Sequence, residues 1–133
     1  MKPLPLPDAD TAPYWQAASE HRFAGQRCAV CGTYAFPPAP RCPACVTCTT
    51  EWVELSGRGT VFSYCVMHLP LVAGFVPPYV VADVELVEQP GLRVTTNILN
   101  CPIEDVRIGM AVRVTFEDRE GSVSLPQFEP AAP

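Results

Sequence analysis

Residues 28 to 45 read C-A-V-C-G-T-Y-A-F-P-P-A-P-R-C-P-A-C, which is two C-x-x-C pairs separated by ten residues. Two such pairs at short separation are typical of a closed, tetrahedral site in which four thiolates hold one zinc ion. Each pair curves its backbone so that both sulfurs face one point, and Gly32 follows the first pair, where a positive φ is expected. The sequence therefore predicts a structural zinc site with the ligands Cys28, Cys31, Cys42 and Cys45.

The second ligand pair is not unique on spacing, because Cys48 forms an overlapping C-V-T-C pair with Cys45. Pro43 suits a tight turn between Cys42 and Cys45, so we favour that pair and expect Cys48 to bind no metal. Two alternatives to zinc remain open. Two disulfides would suit a secreted protein, which nothing else in the chain indicates. An electron-transfer iron site of the rubredoxin kind is expected to have a longer separation between its pairs.

Composition narrows the class of protein. With 48% hydrophobic and 17% charged residues, the 133-residue chain can bury a core and is not disordered. Its net charge of −5, with Lys2 as its single lysine, argues against a nucleic-acid partner, which would need clustered basic residues. The sequence shows no signal peptide and no run of about 18 apolar residues. We therefore expect no membrane partner and a cytoplasmic location.

The chain divides into three parts. Residues 1–25 are expected to form an N-terminal arm with a short helix, and residues 26–50 a rubredoxin-like zinc ribbon. Residues 51–133 are expected to form a barrel of β-strands. The predicted fold class is therefore mainly β.

The arm carries two local signals. The run K-P-L-P-L-P is expected to be extended, because each proline fixes φ and lacks a donor. Asp8 or Asp10 can then cap the helix. Tyr14 and Trp15 lie on its aromatic side, which we expect to dock onto the chain's own ribbon. The alternative is that these two residues bind a partner protein, for which Trp and Tyr are favoured anchors.

The third part alternates apolar and polar residues between glycine or proline turns. Strand patterns are seen in E-W-V-E-L, G-T-V-F-S-Y-C-V-M-H, Y-V-V-A-D-V-E-L, L-R-V-T-T-N-I-L, I-G-M-A-V-R-V-T-F-E-D and S-V-S-L-P-Q-F. About five strands in a stretch of this length fit a closed, five-stranded OB-fold barrel, because closure leaves no free sheet edge. A small open β-sandwich is the alternative.

These motifs together resemble one family. R-C-x-x-C-G, P-P, C-P-x-C, E-W-V, S-G-R-G-T-V-F-S-Y, P-P-Y-V-V-A-D-V-E-L, I-G-M-x-V-x-V-x-F and L-P-x-F-x-P follow in this order. The chain is similar to the zinc-ribbon and OB-fold proteins that accompany thiolases and thiolase-like aldolases, from about Tyr14 to Pro130. Cys48 and the stretch E-H-R-F-A-G-Q before the first cysteine pair depart from the expected pattern.

The resemblance implies a function in acyl-CoA metabolism. It implies an accessory subunit that binds a thiolase or a steroid side-chain aldolase and supports acyl-CoA binding or transfer there. A hotdog-fold hydratase is a further partner in some relatives, and the setting in some is steroid breakdown within lipid metabolism. Zinc is then the structural cofactor, and a coenzyme A thioester is a ligand shared with the partner.

No catalytic residue is predicted in the chain itself. Zinc held by four thiolates has no open position and cannot activate water. Cys65 and His68 point to opposite faces of an extended strand, so they cannot act as a nucleophile and its base. Cys65 and Cys101 are instead expected to be small core residues.

The stretch from Ser56 to Pro78 is the predicted functional surface. The glycines of S-G-R-G leave the backbone bare, and the Arg58 guanidinium could bind a coenzyme A phosphate. We assign ligand contacts to Arg58, His68 and Phe75, and partner contacts to Tyr14, Trp15, Leu71 and Phe75. The alternatives are a hydrated turn residue for Arg58 and a histidine bound to the backbone for His68.

A single-stranded nucleic-acid-binding protein is the alternative function, since OB-folds and zinc ribbons both serve that role. It would need basic and aromatic residues interleaved on one face. The predicted strands instead carry Phe62, Tyr64 and Tyr79 beside acidic neighbours.

Overall fold

The computed structural model describes residues 2–47 and 50–131. Its elements are one helix, α1 (Ala12–Ser19), and eight strands: β1 (Ala24–Cys28), β2 (Tyr34–Ala35), β3 (Thr50–Glu54), β4 (Arg58–Met67), β5 (Tyr79–Leu86), β6 (Arg93–Asn97), β7 (Ala111–Asp118) and β8 (Ser124–Pro130). Single turns of 3₁₀ helix span Ile103–Asp105 and Glu120–Ser122. The predicted fold class is confirmed, with a short helix, a zinc ribbon and a five-stranded barrel.

The ribbon is a three-stranded antiparallel sheet in the order β2-β1-β3. Strand β3 contains the E-W-V-E part of E-W-V-E-L, which sequence analysis counted with the barrel. In the structure it pairs with β1 along its whole length, from Ala24 opposite Glu54 to Cys28 opposite Thr50. The alternation of this strand suits either sheet, so its own residues do not determine which sheet it joins.

The barrel is a five-stranded sheet in the order β6-β5-β4-β7-β8. Its two end strands meet through a parallel bridge between Ile98 and Phe128, and the Leu99 N–H donates to the Phe128 carbonyl at 2.8 Å. Phe128 is fully buried at this seam. The strand order and the near-closure are those of an OB-fold.

Gln127 closes the seam between β6 and β8 with its side chain. Its Oε1 accepts hydrogen bonds from the Thr96 hydroxyl (2.9 Å) and the Asn97 N–H (2.8 Å). Its Nε2 donates to Asn97 Oδ1 (3.3 Å) and to Glu117 (3.2 Å). One buried amide therefore replaces ladder bonds that the two end strands do not make with each other.

We expect Gln127→Leu to lower the free energy of unfolding by about 2 kcal/mol, because the Asn97 N–H loses its acceptor and the Thr96 hydroxyl keeps only the Asn97 carbonyl, at 3.1 Å. Gln16→Leu, on the exposed side of α1, is the matched control and should change stability by less than about 0.5 kcal/mol. Urea denaturation followed by circular dichroism measures both. Equal stability of the two variants would contradict the assigned seam.

Helix α1 packs at the junction of the two sheets, against β1 and β8. Tyr14 is buried there and meets Trp15, Phe23 and Phe36 edge to face, with ring centroids 4.9 to 6.2 Å apart. The helix therefore docks onto both the ribbon and the barrel. Burial raises the pKa of Tyr14 well above its usual range, so its hydroxyl stays protonated.

The start of the helix differs from the prediction. The N-cap is Thr11, and its side chain makes no capping bond. The Asp8 carboxylate accepts instead from the N–H groups of Asp10 and Thr11, which forms a turn just before the helix. Neither Asp8 nor Asp10 is the N-cap.

The N-terminal end of the arm is held by Lys2. Its ammonium lies 2.9 and 3.0 Å from the two Glu117 oxygens and 4.6 Å from the centroid of the Phe75 ring. Burial favours the neutral form of Glu117, but the hydrogen bonds from Lys2 and Gln127 outweigh it and lower the pKa of that carboxyl. The arm is thus attached to β7 and to the loop between β4 and β5.

Candidate metal centre and ligand groove

The four cysteines predicted as ligands lie together. Their Sγ atoms are all within 4.8 Å of one another, and two contacts join the two pairs: Cys28 to Cys45 at 3.5 Å and Cys31 to Cys42 at 3.6 Å. Sulfurs at about 2.3 Å from a tetrahedral zinc lie about 3.8 Å apart. The donor set therefore fits one zinc ion. Cys48 lies outside the described residues.

Backbone N–H groups point at the first sulfur of each pair. Val30 and Cys31 donate to Cys28 Sγ at 3.4 and 3.5 Å, and Ala44 and Cys45 donate to Cys42 Sγ at the same distances. These bonds stabilise thiolates, the form in which cysteine binds metal. The two C-x-x-C turns thus have the same geometry, although their sequences differ.

Hydrogen bonds also alter the acidity of the first pair. The N–H of Cys31 and then the Thr47 hydroxyl lower the pKa of the Cys28 thiol to about 6. The hydrogen bond to the Thr33 hydroxyl lowers the pKa of the Cys31 thiol most, and the Thr33 backbone lowers it further. A zinc ion on these four thiolates would have no open position, so its contribution is to hold the ribbon together.

The residue after each pair adopts a left-handed backbone conformation. Gly32 has φ +76°, as predicted, and its N–H donates to the Cys28 carbonyl. The corresponding residue of the second pair is Val46, with φ +63°, whose N–H donates to the Cys42 carbonyl. This conformation is unfavourable for a β-branched residue.

The glycines of S-G-R-G make room for the chain's own strands. A Cβ on Gly57 would lie 2.3 Å from Val114 Cγ1, and one on Gly59 would lie 2.5 Å from the Glu85 carbonyl oxygen. The space above this turn is thus filled by β5 and β7. The close approach that sequence analysis assigned to a ligand is made by neighbouring backbone and side chains.

The three predicted ligand residues do not form one site. Arg58 is the first residue of β4, whereas His68 follows its last residue, roughly 30 Å away along an extended strand. Phe75 is half-buried near the His68 end, where its ring packs on Tyr79 with centroids 5.2 Å apart. Arg58 and His68 are both exposed.

Cys65 is exposed on β4, so its predicted core position is wrong, and Cys101 is half-buried. The register of β4 against β5 shifts between Val61 and Ser63, which leaves Phe62 in a bulge. A bulge inverts the alternation that follows it. Val61 faces the core before the bulge, and Tyr64 and Val66 face it afterwards.

Ser124, Asp118 and His21 form a hydrogen-bonded group that differs from a catalytic triad. His21 Nε2 lies 2.7 Å from Asp118 Oδ1, and the Ser124 hydroxyl donates to the same oxygen. Both hydrogen bonds lower the pKa of the Asp118 carboxyl, and the bond from Ser124 has the larger effect. The hydroxyl therefore faces the carboxylate and not the imidazole, so His21 is not placed to act as its base.

A groove of about 590 Å³ lies between α1, the loop after β2, the loop between β4 and β5, and strands β5, β6 and β8. It brings together aromatic residues that sequence analysis singled out, among them Trp15, Phe75 and Tyr79. Tyr14 is buried on the wall of the groove, and Trp15 is half-buried beside it. A buried side chain can contact a molecule in the groove but is not presented to the surface of a partner.

Much of this groove could not be predicted from the sequence. Its other walls are the finger loop Phe36–Pro38, the strand end Thr95–Asn97 and the segment Leu125–Gln127. The sequence signal for it is a set of polar residues, T-T-N and Gln127, within strands whose inward-facing residues are otherwise apolar. Within residues 2–47 and 50–131, the structure has no helix long and apolar enough to span a membrane.

Comparisons with known proteins cover both parts of the chain. Residues 15–47 match the family model described as the ChsH2 rubredoxin-like zinc ribbon domain, and residues 52–117 match the ChsH2 C-terminal OB-fold domain. A DUF35 domain-containing scaffold protein of Methanocaldococcus jannaschii is 45% identical over 94 residues, which are 69% of this chain and 65% of that protein.

The 3-oxo-4,17-pregnadiene-20-carboxyl-CoA hydratase alpha subunit of Mycobacterium tuberculosis is 39% identical over 114 residues, 86% of this chain. The chain spans only 36% of the length of that subunit. A solved structure described as the Ltp2-ChsH2(DUF35) aldolase contains a chain that is 40% identical and superposes with a TM-score of 0.87. That similarity covers 96% of this chain and 99% of the other.

The two family models, the zinc-binding geometry and the full-length structural match lead to one assignment: the chain belongs to the ChsH2 (DUF35) family of zinc-ribbon and OB-fold proteins.

Proposed function

We propose that this chain is a non-catalytic accessory subunit that binds a thiolase-like enzyme, a thiolase or a steroid side-chain aldolase, and supports acyl-CoA binding or transfer on it. The observation that carries the proposal is the match, over nearly its whole length, to a chain of the Ltp2-ChsH2(DUF35) aldolase. The relative named as a steroid acyl-CoA hydratase subunit supports the substrate class and a hydratase as a further partner. Metal held by four thiolates suits the reducing cytoplasm.

The loop between β4 and β5 is the proposed partner surface. Leu69, Leu71 and Val76 expose 61%, 68% and 82% of their surface within eight residues of chain. The Phe75 ring packs on Tyr79 and lies beneath the Lys2 ammonium, which anchors the loop. The apolar tip of the loop therefore remains exposed to solvent. A continuous exposed apolar segment of this kind is typical of a protein interface.

Arg58 remains the proposed contact for a coenzyme A phosphate, and His68 a second ligand contact. Arg58 is exposed and stands opposite Arg113 in the register of β4 and β7, where Arg113 pairs with Glu129 at 2.9 Å. A guanidinium with no carboxylate within ion-pair distance among the described residues can bind an anion through its planar fork. The acyl part would then lie elsewhere, because Arg58 is not among the residues that line the groove.

The partner is tested by affinity purification of the tagged chain from its native cell, with co-purifying chains identified by mass spectrometry. The unmodified chain should retain a thiolase-like enzyme in fixed ratio, and Leu71→Glu/Val76→Glu should retain at least about tenfold less, because charges replace interface anchors. Val87→Glu, 63% exposed in the turn after β5, is the matched control and should retain it fully. Purification of the chain alone, or full retention by the double variant, would contradict the proposal.

A further inference from the structure

The groove beside α1 has the size of a small-molecule site. Its volume of about 590 Å³ lies within the range of about 300 to 1,000 Å³ that such sites occupy. Its walls come from the ribbon, the helix and the barrel, so it exists only when all three parts are folded together. The metal centre takes no part in it.

The lining of the groove is uncharged. Among residues 2–47 and 50–131, no Asp, Glu, Lys or Arg lines it, and most of its walls are aromatic, aliphatic or proline side chains. A charged group in such a site would lose its hydration without gaining a partner. The bound body must therefore be neutral and apolar.

The polar side chains of the lining divide into two kinds. The first kind already hydrogen-bonds within the chain and comprises Thr11, Thr95, Thr96, Asn97 and Gln127. By contrast, the hydroxyls of Tyr14 and Tyr79 and the indole N–H of Trp15 make no hydrogen bond to any residue in 2–47 or 50–131. Aromatic residues of this kind present an apolar body and one polar handle. All three can donate, so they favour a ligand that carries an acceptor such as a carbonyl oxygen.

We infer that the groove binds the acyl part of a coenzyme A thioester, that is, a neutral apolar body carrying a carbonyl. The inference rests on the proposed function for the source of that acyl group, while the uncharged lining and the free donors define its chemistry. The charged nucleotide part of the thioester lies outside the groove. A peptide from a partner fits less well, because it has more amide groups than the lining side chains have free polar groups. Some of those amides would be buried without a hydrogen-bond partner.

Direct binding to the full chain tests this inference without any partner. The chain contains two tryptophans, so Trp52→Phe leaves Trp15, which lines the groove, as the single fluorescent reporter. Two neutral ketones serve as probes: androst-4-ene-3,17-dione for a fused-ring body and 2-decanone for a linear one. If the steroid changes Trp15 emission saturably, the acyl part is a fused-ring body. If 2-decanone does so, the acyl part is linear. Isothermal titration of the unmodified chain should give the same affinity.

Two pairs of variants locate the binding. Val72→Glu places a charge on the wall of the groove at a site already 42% exposed, and should weaken binding at least tenfold, whereas Val87→Glu should leave it unchanged. Tyr14→Phe should weaken ketone binding about three- to tenfold, the effect of one hydrogen bond. Tyr64→Phe, outside the groove, should have no effect.

Failure of both probes to saturate, or equal binding by Val72→Glu and Val87→Glu, would overturn the inference. The two proposals fail separately. If the enzyme co-purifies but neither ketone binds, the groove assignment is wrong and the partner stands. If the ketones bind but no enzyme co-purifies, the accessory function is wrong and the groove remains a ketone site.

Discussion

Replacing Cys28 or Cys45 with Ser is expected to unfold the ribbon and to abolish stoichiometric zinc binding. Structural zinc supplies on the order of 10 kcal/mol or more to small domains, far more than the few contacts of a three-stranded sheet. Cys28 closes the metal site from β1 and is nearly fully buried, so a serine there removes a ligand without a substitute. Because α1 and the finger loop pack on this sheet, the groove should be lost with it.

The measurements are the zinc content per chain, by inductively coupled plasma mass spectrometry, and the emission of Trp52 on β3, which pairs with Gln26 of β1. Trp15 is replaced by Phe in every protein compared, so that Trp52 is the single tryptophan. Cys65→Ser is the matched control, since Cys65 is exposed and lies outside the cluster. It should keep about one zinc and an unchanged Trp52 spectrum. Full zinc content and native fluorescence in both ligand variants would refute the assigned metal site.

Replacing Gly57 with Ala is expected to lower the free energy of unfolding by about 3 to 4 kcal/mol. Two costs add: the left-handed φ of +75°, at about 1 kcal/mol, and the 2.3 Å approach to Val114, at about 2 to 3 kcal/mol. Val114 cannot retreat easily, because its N–H donates to the Gly57 carbonyl at 2.7 Å.

Gly91→Ala separates the two costs. Gly91 also has a left-handed φ, +82°, but no atom of the described part of the chain lies within 4 Å of a Cβ placed there, so only the conformational cost applies. Thermal and urea denaturation of both variants should therefore differ by about 2 to 3 kcal/mol. If the two were equally stable, the packing explanation would fail, and a ligand function for the bare S-G-R-G backbone would return.

The metal site and the barrel could be predicted because their signals are local. The spacing of Cys28, Cys31, Cys42 and Cys45 is itself the geometry of the site, and strand alternation with glycine turns indicates β5 to β8 directly. The pairing of β3 could not be predicted, because its alternation suits the ribbon and the barrel equally.

The other errors arise where a residue depends on distant neighbours. The bulge at Phe62 turns Cys65 outward, and no residue near it signals the shift. Gly57 is glycine because of Val114, more than fifty positions later. The groove is built from segments that are far apart along the chain, so the sequence pointed only to its aromatic members.

The left-handed valine in the second C-x-x-C turn makes the two halves of the metal site unequal. Holding Val46 at φ +63° costs of the order of 1 to 3 kcal/mol, whereas Gly32 adopts its conformation freely. That strain is relieved when Cys42 and Cys45 dissociate from the zinc ion, so the second turn should open before the first. We therefore expect a chelator to extract the ion through a long-lived state still bound to Cys28 and Cys31. Val46→Gly should slow the extraction and extend the lifetime of the loaded protein.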